Sequence, residues 1–165
     1  MRRERDFLGV KEVPEDAYYG VQTMRAVENF PITGHPVSAA FIRALAYVKK
    51  ASALANVDAG FLDQEIGEAI ARAADEVIEG KLHDQFIVDA IQGGAGTSTN
   101  MNTNEVLANR ALEILGYEKG RYDVISPNSH VNMSQSTNDV FPTAMHVSIL
   151  MEAPALLRAL DRLEA

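Results

Sequence analysis

The sequence predicts a mainly α-helical fold. Apolar residues recur at intervals of three and four over several long segments, which is the spacing of one helix face. Polar capping residues precede most of these segments and glycine follows several of them, as at helix ends. Strand-like alternation is confined to residues 7–13. With 165 residues, of which 47% are hydrophobic, the chain is long enough to bury a core without disulfides or a metal.

Three helices are predicted in the first half of the chain. Residues 7–13 end at Pro14 and are compatible with a small strand or with a segment lying across the body. The predicted helix bounds are 17–29, capped by Asp16; 39–57, opened by Ser38; and 63–79. Gly60 and Gly80 provide the stops of the second and third helices.

The second half alternates between irregular and helical segments. The predicted bounds are 83–88 for an extended segment, 92–100 for an irregular one, 103–115 for a helix and 117–135 for a loop. The last helix should begin near Asn138, with Pro142 tolerated in its first turn and Pro154 kinking it. Its apolar stripe still continues at Ala165. Because such a stripe normally packs against other helices, we expect this chain to be the amino-terminal part of a longer protein.

Composition argues against several classes of protein. Cysteine is absent, so disulfides, thiolate nucleophiles and cysteine-ligated zinc are excluded. A net charge of −8 argues against nucleic-acid binding, which needs Lys and Arg to neutralise phosphates. No uninterrupted apolar run reaches the roughly 18 residues of a membrane span. We therefore expect a cytoplasmic protein that does not enter membranes, and the spacing of His, Asp and Glu predicts no metal site.

Two polar segments are the candidates for chemistry. The first, residues 93–100, reads Gly-Gly-Ala-Gly-Thr-Ser-Thr-Asn. Its small residues let a backbone approach a ligand closely, and its N–H groups, hydroxyls and amides could bind an anion at the following helix. A flexible loop with a helix cap explains the same composition. The phosphate loop of nucleotide hydrolases is excluded, because no Gly-Lys-Ser/Thr follows.

The second segment, residues 128–139, is composed mainly of uncharged polar side chains. Its triplet Ser136-Thr137-Asn138 stands just before the last helix, where two hydroxyls, one amide and a helix N-terminus could bind one carboxylate. Capping of that helix, aided by Asp139 in its first turn, is an equally good explanation.

The four histidines indicate no catalytic group by themselves. His130 could act as a general base, but a hydrogen-bonded structural role is favoured. His83 beside Asp84 could form a catalytic dyad, which we consider the weaker alternative. His35 and His146 have no suggestive neighbours and are interpreted as surface or packing residues.

Both polar segments resemble a known family. Residues 94–106 read Gly-Ala-Gly-Thr-Ser-Thr-Asn-Met-Asn-Thr-Asn-Glu-Val, and residues 127–143 read Pro-Asn-Ser-His-Val-Asn-Met-Ser-Gln-Ser-Thr-Asn-Asp-Val-Phe-Pro-Thr. These motifs resemble those of the aspartase/fumarase superfamily, and the resemblance extends over essentially the whole chain. Tyr18-Tyr19-Gly20 and Ser136-Thr137-Asn138 are similar to the aspartase branch, where fumarases usually carry Tyr-Trp-Gly and Ser-Ser-Asn.

The resemblance implies an elimination reaction that needs no organic cofactor. Members of the aspartase branch deaminate L-aspartate reversibly to fumarate and ammonia, by general-base elimination through a doubly charged aci-carboxylate. By the same resemblance, Thr97, Ser136, Thr137 and Asn138 would bind a substrate carboxylate, while Asn100 and Asn102 would shape the loop. Activation by a divalent cation, known for some aspartases, cannot be read from these residues.

The resemblance also implies what lies outside these residues. Family members are longer, mostly helical homotetramers whose active sites combine segments of three subunits. Their general base is a serine in a Gly-Ser-Ser-x-Met-Pro-x-Lys-x-Asn loop, which does not occur here, so no catalytic residue is assigned and we expect the chain alone to be inactive. Residues 1–139 would form the amino-terminal lyase domain of the L-aspartase-like fold, and 140–165 the start of the central helix bundle.

Two other functions remain open. One is the hydration chemistry of the fumarase branch, with malate in place of aspartate. The other is a helical domain without catalytic activity that only binds or assembles. The single-residue differences at Tyr19 and Thr137 favour the aspartase branch over the fumarase branch.

Overall fold

Five α-helices and one β-hairpin make up residues 1–164, the part of the chain that the computed structural model describes. Their bounds are β1 (Arg2–Asp6), β2 (Gly9–Val13), α1 (Val21–Asn29), α2 (Ala39–Asp58), α3 (Gln64–Ile78), α4 (Thr97–Ile114) and α5 (Thr137–Glu164). A 3₁₀ turn at His83–Gln85 precedes α4, and a π-helical turn at Pro127–Val131 precedes α5. The predicted mainly α-helical class is confirmed.

The first thirteen residues form an antiparallel hairpin, in which Arg2 pairs with Val13 and Asp6 with Gly9. Of the two alternatives for residues 7–13, the structure shows the strand, which is β2, and the charged residues before it form its partner β1. The buried guanidinium of Arg2 donates to the carbonyl oxygens of Ala17 at 2.6 Å and Tyr19 at 2.7 Å. These bonds hold the chain after the hairpin in an irregular path, so α1 begins later than predicted.

The N-terminus of α1 is capped from another helix. Asp16 does not cap it; instead the Glu105 carboxylate of α4 accepts hydrogen bonds from the backbone N–H groups of Gly20, Gln22 and Thr23, at 2.9 to 3.0 Å. Burial raises the pKa of the Glu105 carboxyl, and these donors oppose that rise by stabilising the charged form. Because the capping carboxylate is more than eighty residues away in the sequence, local sequence patterns do not predict this cap.

Helices α2 and α3 match their predicted bounds within one residue. The Ser38 hydroxyl accepts from the N–H of Phe41, so the predicted cap of α2 is observed. In the structure the Asp63 carboxylate caps α3 in the same way, by accepting from the N–H of Glu65. Helices α2, α3 and α4 pack around the main core. Its largest fully buried apolar side chains are Ile70, Val77, Phe86, Val106, Leu107, Leu112 and Ile125.

Two predictions in the middle of the chain are wrong. Residues 83–88 are not extended, because the chain turns at Leu82, whose φ is +61°, and enters the 3₁₀ turn. Helix α4 begins at Thr97 rather than at 103. Most side chains of its first two turns are polar, and five of them are buried rather than exposed: Thr99, Asn100, Asn102, Thr103 and Asn104.

Helix α5 packs on α2 only along its first half. Val140 and Ala144 are buried against Phe41 and Leu45, and Phe141 meets Phe41 edge-on with ring centroids 5.0 Å apart. The predicted apolar stripe is exposed: Met145, Ile149, Leu156, Leu160 and Leu163.

By length and mean hydropathy alone, α5 would also be long enough to cross a bilayer. One 18-residue window has a mean hydropathy of 1.4, and 11% of that window is buried. This criterion averages over scattered polar residues, so it is compatible with the absence of an unbroken apolar run of that length. That the chain does not enter membranes stays a prediction. Length and composition alone are weak evidence for a membrane segment, since core helices of soluble proteins meet the same criterion.

Candidate functional site

The two polar segments meet at one cleft, which has a volume of about 670 Å³. The glycine-rich segment lines one side of it, and the first turn of α5 lines the other. Its lining residues are Ala90, Gln92, Gly94, Ala95, Gly96, Thr99, Asn138, Phe141 and Pro142. None of these side chains is charged, although the chain as a whole carries a net charge of −8. The cleft is therefore suited to an anion bound by neutral donors.

Two aromatic rings hold the glycine-rich segment in place. Gly96 has a φ of +84°, and a Cβ at this position would overlap the ring of Phe141. A Cβ on Gly93 would lie 2.6 Å from Cζ of Phe30. Each glycine therefore permits a ring to approach the backbone at a distance that no other residue allows.

The N-terminus of α4 supplies free backbone donors beside this loop. The first hydrogen bond of the helix runs from Asn100 N–H to Gly96 O at 3.0 Å, so the N–H groups of Thr97, Ser98 and Thr99 precede the hydrogen-bonded turns. Gly96 has no side chain that could cap them. Unpaired N–H groups and the positive end of the helix dipole both favour an anion.

The triplet at the start of α5 provides the predicted cap through Ser136. The Ser136 hydroxyl accepts from Asn138 N–H at 3.2 Å, and the Ser136 carbonyl accepts from Val140 N–H at 3.0 Å. The side chains of Ser136 and Asn138 are nevertheless exposed. Capping therefore leaves these groups accessible to a ligand, and the two interpretations of the triplet are compatible.

The four predicted site residues take different places. Asn138 lines the cleft. The Thr137 hydroxyl accepts a hydrogen bond from the Asn100 side chain of α4 at 3.0 Å. Thr97, the first residue of α4, and Ser136 are exposed beside the cleft-forming segments but are not among the residues that line it. Their binding of a carboxylate stays a prediction.

A cluster of amides lies beside the triplet, with the half-buried Asn132 at its centre and the buried Asn100 and Asn104 around it. The sequence patterns did not predict this cluster. The side-chain oxygen of Asn132 accepts from Lys49 Nζ at 2.9 Å, from Asn100 Nδ2 at 3.0 Å and from Asn104 Nδ2 at 3.2 Å. Lys49 is 0% exposed, and this burial lowers the pKa of its amine to about 7. One signal was available: Lys49 stands on the apolar stripe of α2, four residues after Leu45.

The histidines take structural places. His130 lies in the π-helical turn, and its Nδ1 accepts from Ser126 N–H at 2.9 Å. Burial lowers the pKa of His130. His83 Nε2 lies 2.9 Å from the carbonyl oxygen of Val77, while Asp84 accepts from Gln85, so the alternative dyad is not formed. Within residues 1–164, no group of three or more His, Asp or Glu side chains is placed to hold a metal ion.

Known proteins with similar sequences are lyases. The family described as "Lyase" matches residues 9–165. Aspartate ammonia-lyase of a Bacillus species is 68% identical over 150 residues, which are 91% of this chain and 32% of that enzyme. Fumarate hydratase class II of Halobacterium salinarum is 59% identical over 149 residues, which are 90% of this chain and 32% of that enzyme. The chain thus spans about a third of the length of these curated relatives.

Solved structures show the same relationship. The crystal structure of a fumarate lyase:delta crystallin from Brucella melitensis superposes with a TM-score of 0.97 at 53% sequence identity, covering 99% of this chain and 37% of that one. Sequence and fold therefore agree with the resemblance to the aspartase/fumarase superfamily, and the chain belongs to the lyase family.

Proposed function

We propose that this chain is the amino-terminal part of an aspartate ammonia-lyase, which converts L-aspartate reversibly to fumarate and ammonia. The observation that carries the proposal is the uncharged cleft between the N-terminus of α4 and the first turn of α5. The 68% identity to the aspartate ammonia-lyase of a Bacillus species supports the choice of substrate.

The chemistry explains why neutral donors suit this cleft. Elimination removes a proton from the carbon next to one carboxylate and expels ammonia from the neighbouring carbon. The intermediate is a doubly charged aci-carboxylate, so catalysis depends on donors aimed at the charge that develops. The hydroxyls of Thr97, Ser136 and Thr137, the Asn138 amide and the free N–H groups of α4 would fill this role.

The general base would come from elsewhere in a longer protein. None of the residues that line the cleft has a basic side chain that could remove a proton from carbon. We infer that the base loop and two further subunits complete the site, in a homotetramer. The exposed stripe of α5 would then lie within a central helix bundle rather than in a membrane. The proposed boundary between residues 139 and 140 falls inside the first turn of α5, so the two domains would share one helix.

The second candidate is fumarate hydratase of class II. It is favoured by the 59% identity to the Halobacterium salinarum enzyme, which is close to the identities of the aspartate ammonia-lyases. Both reactions pass through an aci-carboxylate, so the anion-binding groups described above would serve either one. They differ in the leaving group, and Thr137 is the residue of the triplet that favours aspartate.

Substrate preference in the full-length protein tests the proposal. Fumarate formation from L-aspartate and from L-malate would be followed by ultraviolet absorbance, with this chain alone as the matched control. We expect turnover of aspartate by the full-length protein and none by residues 1–165. Preferential turnover of malate would establish the second candidate, and fumarate formation by the chain alone would contradict a base located elsewhere.

A further inference from the structure

Helix α2 holds the turn before the triplet at two places. Lys49 Nζ donates to the side-chain oxygens of Asn132 and Gln135, both at 2.9 Å. Two helical turns further along, Asn56 Nδ2 donates to the carbonyl oxygen of Met133 at 3.0 Å. Lys49 and Asn56 are seven residues apart, so they lie on the same side of α2. Both are buried.

The turn that they hold is a strained one. Ser134 has a φ of +58°, a conformation that residues with a side chain rarely adopt. Lys49 binds the residues on both sides of it, Asn132 and Gln135. A backbone in this region persists only where the surroundings over-determine it, and the two bonds from Lys49 are part of that restraint.

A continuous set of hydrogen bonds leads from Lys49 to the triplet. The Asn132 oxygen that accepts from Lys49 also accepts from Asn100 Nδ2 at 3.0 Å. The same Asn100 nitrogen donates to the Thr137 hydroxyl at 3.0 Å. A change at Lys49 therefore reaches Thr137 through the half-buried amide of Asn132 and the buried amide of Asn100.

The hydrogen-bond partners of Lys49 differ from those of a lysine in a surface salt bridge. Its neighbour Lys50 pairs with the Asp75 carboxylate at 2.7 Å near the surface. Within residues 1–164, Lys49 has no carboxylate partner, and both of its acceptors are amide oxygens. A neutral amine has two N–H groups, which match these two acceptors, and burial lowers the pKa of Lys49 to about 7.

We propose that Lys49 is a positioning residue, which fixes the 132–135 turn and thereby places the Thr137 hydroxyl at the start of α5. The part of this proposal that concerns the turn does not depend on any reaction. The part that has the Thr137 hydroxyl bind a dicarboxylate substrate rests on the proposed function.

The first test uses nuclear magnetic resonance on this chain, with Lys49→Met and the matched control Lys50→Met. Methionine keeps the length of the side chain and removes its donors. We expect Lys49→Met to shift the backbone resonances of residues 132–138 and to abolish the contact between the Asn100 amide and Thr137. We expect Lys50→Met to leave both unchanged. A folded Lys49→Met chain with unchanged resonances over 132–138 would overturn the proposal.

A measurement on the unmodified chain covers the case in which Lys49→Met does not fold. The Nζ protons of Lys49 should exchange slowly with solvent and show contacts to the side chains of Asn132 and Gln135. The Nζ protons of Lys50 serve as the internal control and should exchange fast. Equal exchange of the two lysines would overturn the proposal.

Kinetics of the full-length protein test the link to substrate. We expect Lys49→Met to lower kcat/KM for aspartate by up to about 100-fold, the effect of a misplaced binding group, and Lys50→Met to leave it unchanged. Unchanged kcat/KM in a Lys49→Met protein whose turn is displaced would refute the role of Lys49 in placing a substrate-binding hydroxyl. Absence of any elimination activity in the unmodified protein would refute the proposed function instead, and the resonance experiment would still decide the holding of the turn.

Discussion

The side-chain amide of Asn100 donates a 3.0 Å hydrogen bond to the hydroxyl of Thr137, across 37 residues of sequence. This bond joins α4 to the start of α5. It also connects the two polar segments that the sequence marks separately, because Asn100 ends the first and Thr137 belongs to the second. The loop-shaping role that the resemblance implies for Asn100 stays a prediction, and this contact is the observation that supports it.

Replacing Asn100 should therefore destabilise the fold. Asn100→Ala removes the donor shared by Asn132 and Thr137 and leaves a small buried cavity, at a cost of about 1–3 kcal/mol. Urea unfolding of this chain measures the loss. The exposed Asn128 provides the control, since Asn128→Ala should change the free energy of unfolding by less than about 0.5 kcal/mol. Equal effects at both positions would mean that the buried amide contributes nothing specific.

The contact between Gly96 and Phe141 predicts a difference between two glycine substitutions. Gly94 and Gly96 both have positive φ, at +90° and +84°, but only at Gly96 would a Cβ overlap another side chain. Both alanine variants should be destabilised by roughly 1 kcal/mol or more of backbone strain, and Gly96→Ala should lose more because the Phe141 ring must move. The free energies of unfolding of the two variants test this. A loss at Gly94 equal to that at Gly96 would show that the ring contact is unimportant.

The hydroxyls of Thr97 and Ser136 should matter for rate more than for stability. Both side chains are exposed, so Thr97→Ala is expected to leave the free energy of unfolding within about 0.5 kcal/mol. In the full-length protein, loss of one donor to developing charge should lower kcat/KM by an amount corresponding to about 2.7–4 kcal/mol. Steady-state kinetics of the Thr97→Ala and Ser136→Ala variants measure this loss. Unchanged kcat/KM in both would remove these residues from the site.

Asp89 should make stability depend on acid pH. Burial raises the pKa of this carboxyl, but hydrogen bonds from the N–H groups of Ile91, Thr33 and Gly34 outweigh burial and hold it well below its usual range. Its stabilisation is therefore complete above the unfolded-state pKa of about 3.9 and is lost as the pH falls towards the lower folded-state value.

The variant Asp89→Asn isolates this contribution. It should be less stable than the unmodified chain near neutral pH, and the difference should shrink as the pH is lowered below about 3.9. Chemical unfolding at several pH values provides the measurement. A difference that is independent of pH would show that the charge on Asp89 is not what the three N–H groups stabilise.

The exposed stripe of α5 should cause this chain to self-associate. Leu156 and Leu160 are 62% and 50% exposed and lie on one side of the helix with Ile149, and contiguous apolar surface of this kind drives association. Sedimentation velocity should show oligomers that the double variant Leu156→Gln, Leu160→Gln dissociates. Arg162→Gln, on another side of the helix, is the control and should have no effect. A monomeric unmodified chain at all concentrations would contradict the prediction.

The sequence alone predicts the class of fold, and it predicts two of the helices almost to the residue. Helices α2 and α3 could be predicted because their apolar residues follow the helical period. The start of α2 could also be predicted because Ser38 caps it locally. The sequence also determined which segments are unusual in composition, since runs of Gly, Ser, Thr and Asn have no place in an ordinary core.

The other helix starts and the cleft could not be predicted, because they depend on partners that are distant in sequence. Helix α1 begins where the Glu105 carboxylate caps it, and α4 begins at Thr97 because its polar first turns are buried and hydrogen-bonded within the protein. The cleft exists because Phe141 packs over Gly96. The role inferred for Lys49 depends on Asn132, more than eighty residues away. Periodicity reports which side of a helix is apolar, whereas only packing decides which polar groups are buried together and bind one another.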